Sequence, residues 1–178
     1  MSWITPIIDR AQADVDYVST LRSMFEVTDT VTGIEVADLG TGYYIQFTGT
    51  QEQLDEWMDG LKGAYNASDL NRVGNDILYL AQEYVGYGYA VEASVRTDWE
   101  CSSSRIDTPT LSEMSALIAA LNSLKEAAAL DDDVPESMDN LDFEKANKIE
   151  EILLHAYEVL NNMINSFLYS GEDYAGGF

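Results

Sequence analysis

The 178 residues are enough for one domain or two small ones, and an apolar fraction of 46% is too high for a disordered chain. The 32 acidic residues against 9 basic ones leave a formal charge of −23, a field that repels phosphate backbones and anionic membranes. A single cysteine, Cys101, excludes an internal disulfide framework and a zinc cluster, and no run reaches the ~18 apolar residues of a membrane span.

The opening Met1-Ser-Trp-Ile-Thr-Pro6 has neither the basic region nor the apolar core of a secretory signal, so synthesis and retention in the cytosol are expected. A first helix is predicted from about Arg10 to about Phe25, opened by a capping-box-like pair, Asp9 and Gln12, ahead of Ala11, Val18 and Leu21. From Thr28 to Thr48 the pattern changes. Ile34/Val36 and Tyr43/Ile45/Phe47 alternate, and Asp38-Leu-Gly-Thr-Gly42 supplies turn chemistry, which predicts a β-hairpin. An isolated hairpin is marginal, so its apolar face needs helices or another chain. Thr50-Gln-Glu-Gln53 is a capping box for a short helix lined by Leu54, Trp57, Met58 and Leu61 and ended by Gly60 or Gly63.

Three longer helices share one spacing. Leu70, Val73, Ile77 and Leu80 step by three, four and three residues, as do Leu111, Met114, Ile118 and Leu121, and Ala146, Ile149, Leu153 and Ala156. That spacing stacks four side chains on one helix face. Each run follows a start signal, respectively Ser68, Thr108-Pro109 and Asp142. Between the first two, Tyr84-Val-Gly-Tyr-Gly-Tyr-Ala-Val91 breaks the period, Val91/Ala93/Val95 suggest a short strand or extended connector, and Trp99 to Ile106 reads as a Ser-rich loop. Asp131-Asp-Asp-Val-Pro135 cannot continue a helix, and the last helix keeps its apolar stripe through Val159, Leu160, Met163, Ile164 and Phe167. The expected architecture is therefore mainly α, with repeated short helical modules in a bundle-like arrangement and one inserted β-hairpin. Its segments are an N-terminal helical part (1–27), the hairpin insertion (28–49), central modules (50–130), an acidic linker (131–141), a long C-terminal helix (142–169) and a flexible tail (170–178).

Candidate chemistry is sparse. The Asp131-Asp132-Asp133 run with Glu136 invites a cation, but it lacks an alternating-acid loop with a central glycine, so no metal ligand is assigned. Glu150-Glu151, and Asp14 with Asp16, read as ordinary polar helix faces; His155, the sole histidine, anchors no recognisable triad; phosphate-cradling glycine motifs are absent. No catalytic residue or cofactor is expected. Amphipathic rings favour interfaces, so Tyr84, Tyr87 and Tyr89 around their glycines, and Tyr174 with Phe178 in the tail, are the candidate partner-interface residues. The tail is expected to order only when Tyr174 and Phe178 enter pockets on a neighbouring subunit.

Several strings resemble a family. Trp3-Ile-Thr-Pro-Ile-Ile-Asp-Arg-Ala-Gln-Ala-Asp-Val-Asp-Tyr17 and Leu61-Lys-Gly-Ala-Tyr-Asn-Ala-Ser-Asp-Leu-Asn-Arg-Val-Gly-Asn-Asp-Ile-Leu-Tyr-Leu80 resemble small virion proteins encoded in tailed phages and prophages of Gram-positive bacteria. Thr97-Asp-Trp99, the helix after Thr108-Pro109 and Tyr169-Ser-Gly-Glu-Asp-Tyr-Ala-Gly176 resemble them too, whereas Thr28 to Thr48 has no counterpart. The resemblance implies a structural protein of the tail or baseplate region, an adaptor assembling in several copies with other virion proteins and without nucleic acid or membrane. It supplies no catalytic residues. The competing expectation, from charge alone, is an acidic inhibitor or nucleic-acid mimic of a basic host-defence protein. Carbohydrate binding and enzymatic activity rank below both.

Overall fold

The computed structural model describes residues 2–101 and 106–172, with side chains placed as far as Ser166. It is mainly helical with one small antiparallel sheet: α1 (Gln12–Arg22), β1 (Phe25–Thr28), β2 (Ile34–Asp38), β3 (Tyr44–Phe47), α2 (Gln51–Asp59), α3 (Ala67–Gly86), α4 (Leu111–Ala127) and α5 (Phe143–Glu172). The chain forms two compact units: Arg10–Asn66, holding α1, the sheet and α2, and Met1–Asp9 with Ala67–Phe178, holding α3 to α5.

In the sheet unit, α1 begins later and ends earlier than the sequence predicts. Its first turn is closed not by Asp9 and Gln12 but by Asp14, whose carboxylate accepts from the Ala11 N–H at 2.8 Å. Asp14, which the sequence reads as part of an ordinary polar face, thus caps the helix. Phe25 does not extend α1 but opens a strand, making three strands where a hairpin was expected. The β2–β3 hairpin forms as predicted: the Asp38 carboxylate accepts from Gly40 N–H at 2.8 Å, and Leu39 N–H donates to Tyr43 O at 3.0 Å. The third strand, β1, pairs on the far side of β3, with Phe25 opposite Phe47 and Val27 opposite Ile45, giving the order β1-β3-β2.

Because β1 and β2 both run antiparallel to β3, residues 29–33 must cross β3 to join them. Gln46, in the middle of β3, holds that crossing down. Its side-chain oxygen accepts from Thr32 N–H at 2.8 Å and Gly33 N–H at 3.0 Å, and its amide donates to Glu26 at 3.3 Å. A Cβ on Gly33 would lie 2.5 Å from the Phe47 carbonyl oxygen, so only glycine lets the crossing pass this close. The other face packs Phe47 with Leu21 and Leu54, flanked by Met24, Phe25, Ile34, Trp57 and Leu61. The Thr50 capping box of α2 is present in both directions, but Met58, expected on the inner face, is 72% exposed.

In the helical unit the α3 stripe Leu70, Val73, Ile77 and Leu80 is buried as expected, and so is the α5 stripe Ala146, Ile149, Leu153 and Ala156. α3 begins at Ala67, so Ser68 lies inside its first turn rather than ahead of it. α4 differs. Leu111 is 73% exposed, Met114 and Ile118 are half-buried, and the face that enters the core carries Leu117, Ala120, Leu121, Leu124 and Ala128. Its cap is Thr110, one residue past Pro109, with Glu113 as the reciprocal partner. At the start of α5 the Asp142 carboxylate accepts from Lys145 N–H at 2.8 Å. The helix runs to Glu172, so Ser170 to Glu172 belong to it and not to a tail. No regular strand forms at Val91 to Val95; the irregular segment from Tyr89 to Glu100 ends instead in a buried Trp99. Among the described residues, no helix is long and apolar enough to cross a membrane.

Candidate functional site

Of the aromatic residues proposed for a partner, Tyr84 is wholly buried, and its hydroxyl donates to the Ala156 carbonyl of α5 at 2.8 Å. It continues the three-four spacing of Leu70, Val73, Ile77 and Leu80 by one more step, so it is core and cannot meet a partner. Burial pushes its phenol up to about 12. Tyr89 closes the helix end. Tyr89 N–H donates to Tyr84 O at 3.0 Å, Gly88 N–H to Val85 O at 3.0 Å, and Gly88 carries a φ of +90°. Those two bonds and the left-handed glycine are a Schellman stop, and its expected apolar contact is the Tyr84–Tyr89 ring pair, edge-on at 5.6 Å. What the stop leaves outside is Val85 at 54%, Tyr87 at 42% and Tyr89 at 42% exposure. Tyr174 and Phe178 lie outside the described residues.

A second aromatic group was invisible in sequence because its members come from three places. Trp3 stacks on Tyr157 of α5 with ring centres 4.1 Å apart and planes within 3°, and Tyr79 of α3 lies 6.3 Å from Trp3 and 6.4 Å from Tyr157. Trp3 belongs to an irregular strap, residues 2–9, that lies along the helical unit.

Beneath that strap sits a buried ionic cluster. Asp69, Arg72 and Asp76 stand at i, i+3 and i+7 on α3, so they share a face, and Glu150 of α5 meets them. Glu150, read from sequence as surface, is completely buried. Its two oxygens receive Arg72 Nε at 3.0 Å and Nη2 at 2.8 Å, a bidentate pair, and Arg72 Nη2 also donates to Asp69 at 2.5 Å. Burial works against the Arg72 charge, but the bond to Glu150 and the two carboxylates hold its guanidinium protonated above the usual range. The strap closes the cluster: Ile7 N–H donates to Glu150 Oε2 at 2.6 Å, and Ile4 N–H donates to Asp76 Oδ1 at 3.0 Å. Asp76 is 1% exposed, and its second oxygen, Oδ2, has no hydrogen-bond partner. Burial pushes its carboxyl up to about 7, with the Ile4 N–H and Arg72 pulling the other way.

The remaining polar groups brace loops. Asn71 brackets Trp99 through both backbone groups, donating to Trp99 O at 2.9 Å and accepting from Trp99 N–H at 2.8 Å. Arg96 lies over the Trp99 ring at 4.2 Å and donates to Asp98 at 2.6 Å and Asp107 at 2.5 Å. The acidic linker is tied back through Asp132, whose carboxylate lies 3.1 Å from His155 Nδ1. Among the described residues, no group of three or more potential ligands is placed to hold a metal ion. No family model matches the chain, and neither a curated protein nor a solved structure matches it.

Proposed function

We propose that the protein is a structural component of a tailed-phage particle, an adaptor of the tail-tip or baseplate region assembling in several copies with other virion proteins. The observation that carries the assembly part is the rigid end of α3, where a Schellman stop holds Val85, Tyr87 and Tyr89 outward, each at least 42% exposed. Large amphipathic side chains on an ordered scaffold bury apolar area at little cost in conformational entropy, which suits a standing contact with another subunit. The particle itself is suggested by the resemblance of the Trp3–Tyr17 and Leu61–Leu80 strings to small virion proteins. In this reading α3, α4 and α5 are variants of one helical module that together form the frame, the hairpin is the insertion, and the C-terminal tail meets a neighbour through Tyr174 and Phe178.

Mass spectrometry of purified particles tests the proposal: the protein is expected at stoichiometric copy number, and its absence overturns the reading. The double variant Val85→Ser/Tyr87→Ser is expected to fold and to enter particles poorly. The charge of −23 favours a second reading, an acidic inhibitor or mimic that meets a basic protein. Absence from particles, together with binding to a basic partner that weakens steeply with salt, would select it.

A further inference from the structure

Two buried carboxyls of the helical unit receive backbone N–H groups from residues 2–9. The strap offers the Ile4 N–H to Asp76, the Ile7 N–H to Glu150 and the Trp3 ring to Tyr157. The two carboxyls are not equivalent. Glu150 has a guanidinium across both oxygens, so its charge is matched in place. Asp76 has one backbone N–H on Oδ1 and nothing on Oδ2. A buried carboxylate with one oxygen bare is costly, whereas a carboxylic acid in the same place still accepts the Ile4 N–H through its carbonyl oxygen.

We propose that the N-terminal strap is a proton-dependent clasp, docked on α3 and α5 while the Asp76 carboxyl is protonated and loosened from the Ile4 end when it ionises. The charged groups around Asp76 leave it no alternative partner. Arg72 and Asp69 on α3 and Glu150 on α5 are bound to one another. α4 carries its charges, Glu113, Lys125 and Glu126, towards its two ends, and the strap's one charged side chain, Asp9, lies five positions along the chain from Ile4. Opening the strap admits water to Asp76 and lets it ionise at the ordinary carboxyl pH. The docked form holds the proton up to about pH 7, so docking is strongest in acid and weakens as pH rises to about 7. Above that pH both forms are ionised and the weakening levels off. This holds whether or not the protein belongs to a virion.

Amide hydrogen exchange of the full chain, followed by NMR and corrected for intrinsic rates, tests the clasp. Between about pH 5.5 and pH 8.5 the opening equilibrium at the Ile4 amide is expected to rise roughly thirtyfold, the ratio that a carboxyl titrating near 7 when docked and near 4 when open produces. Asp76→Asn keeps the acceptor for Ile4 N–H and removes the titration, so its Ile4 amide is expected to stay protected across the same range. A flat profile in the parent protein overturns the proposal, and so does an equal rise in Asp76→Asn, which would assign the effect to general repulsion in this acidic chain. If Asp76→Asn does not fold, the titration of the Asp76 side-chain carbon in the parent protein decides: a midpoint near 7 supports the clasp and one near 4 overturns it.

Discussion

In the helical unit, α3, α4 and α5 each send at least three side chains completely or almost completely out of water. The sheet unit buries Leu21, Phe47 and Leu54, surrounded by apolar residues that stay half-exposed. The two regions therefore hold themselves together differently. Long amphipathic helices repeat a buried position every turn, so one poor position among many is tolerated. A three-stranded sheet with two short helices has few such positions, and it depends on specific devices: the Gln46 clamp, a glycine crossing, the one-way Asp14 cap of α1 and the reciprocal Thr50–Gln53 cap of α2. Small units gain less from burial per residue, which leaves them more exposed to any single loss.

The comparison can be broken most directly by removing one central residue from each region. Phe47→Ala deletes a ring that packs on Phe25 at 4.9 Å and has no exposure at all. A cost of about 3–5 kcal/mol is expected for such a change. In a core of three buried residues this should remove hydrogen-exchange protection from β1, β2 and β3 together. Leu153→Ala in α5, equally buried, is expected to cost about 2–5 kcal/mol but to leave the helical unit folded, as seen in its helical circular dichroism at room temperature. If Leu153→Ala unfolded its unit and Phe47→Ala did not, the contrast would be reversed. A smaller effect probes the sheet unit's dependence on close approach. Gly33→Ala drives a methyl group against the Phe47 carbonyl, and a loss of about 1–3 kcal/mol is expected from the forced shift. A neutral result by denaturant titration would mean that the crossing over β3 can lift without harm.

The same contrast governs what the sequence reveals. The α3 and α5 stripes were legible because one apolar face per helix is filled and the opposite face is polar. α4 was misread because it has two overlapping stripes that meet at Leu121. Only packing against α3 and α5 selects Leu117, Leu121 and Leu124 over Leu111, Met114 and Ile118. β1 was missed since no glycine or proline separates Leu21 from Phe25, although Phe25/Val27 against Glu26/Thr28 alternate as a strand should. The buried ionic cluster left a trace in the i, i+3, i+7 spacing of Asp69, Arg72 and Asp76 beside a buried stripe. Its Glu150 half and the strap come from 78 and 72 residues away, and no local pattern announces them. The glycines after Tyr84 group it in sequence with Tyr87 and Tyr89 as a candidate interface residue, whereas its register with Leu80 marks it as core.

The mildest expected effect concerns how the helical unit stops its helices. α3 and α4 end with the same pair of backbone bonds: at α4, Leu130 N–H donates to Lys125 O at 3.1 Å and Ala129 N–H to Glu126 O at 3.2 Å. In α3 the left-handed position is Gly88, but in α4 it is Ala129, with φ at +52°. A Cβ in that conformation crowds the following carbonyl and costs roughly 1–2 kcal/mol, whereas glycine there carries no such penalty. Ala129→Gly relieves the crowding while raising the entropy of the unfolded chain by up to about 1 kcal/mol, so a net gain of a few tenths to about 1 kcal/mol is expected. The converse change, Gly88→Ala, should lose a comparable amount, because space is open around Gly88 and only its φ resists a side chain. Thermal unfolding of the two variants reads both signs. Equal and opposite shifts would show that the two stops are interchangeable in the frame of this unit. A loss from Ala129→Gly would show that the Ala129 methyl group contributes packing that outweighs its strain.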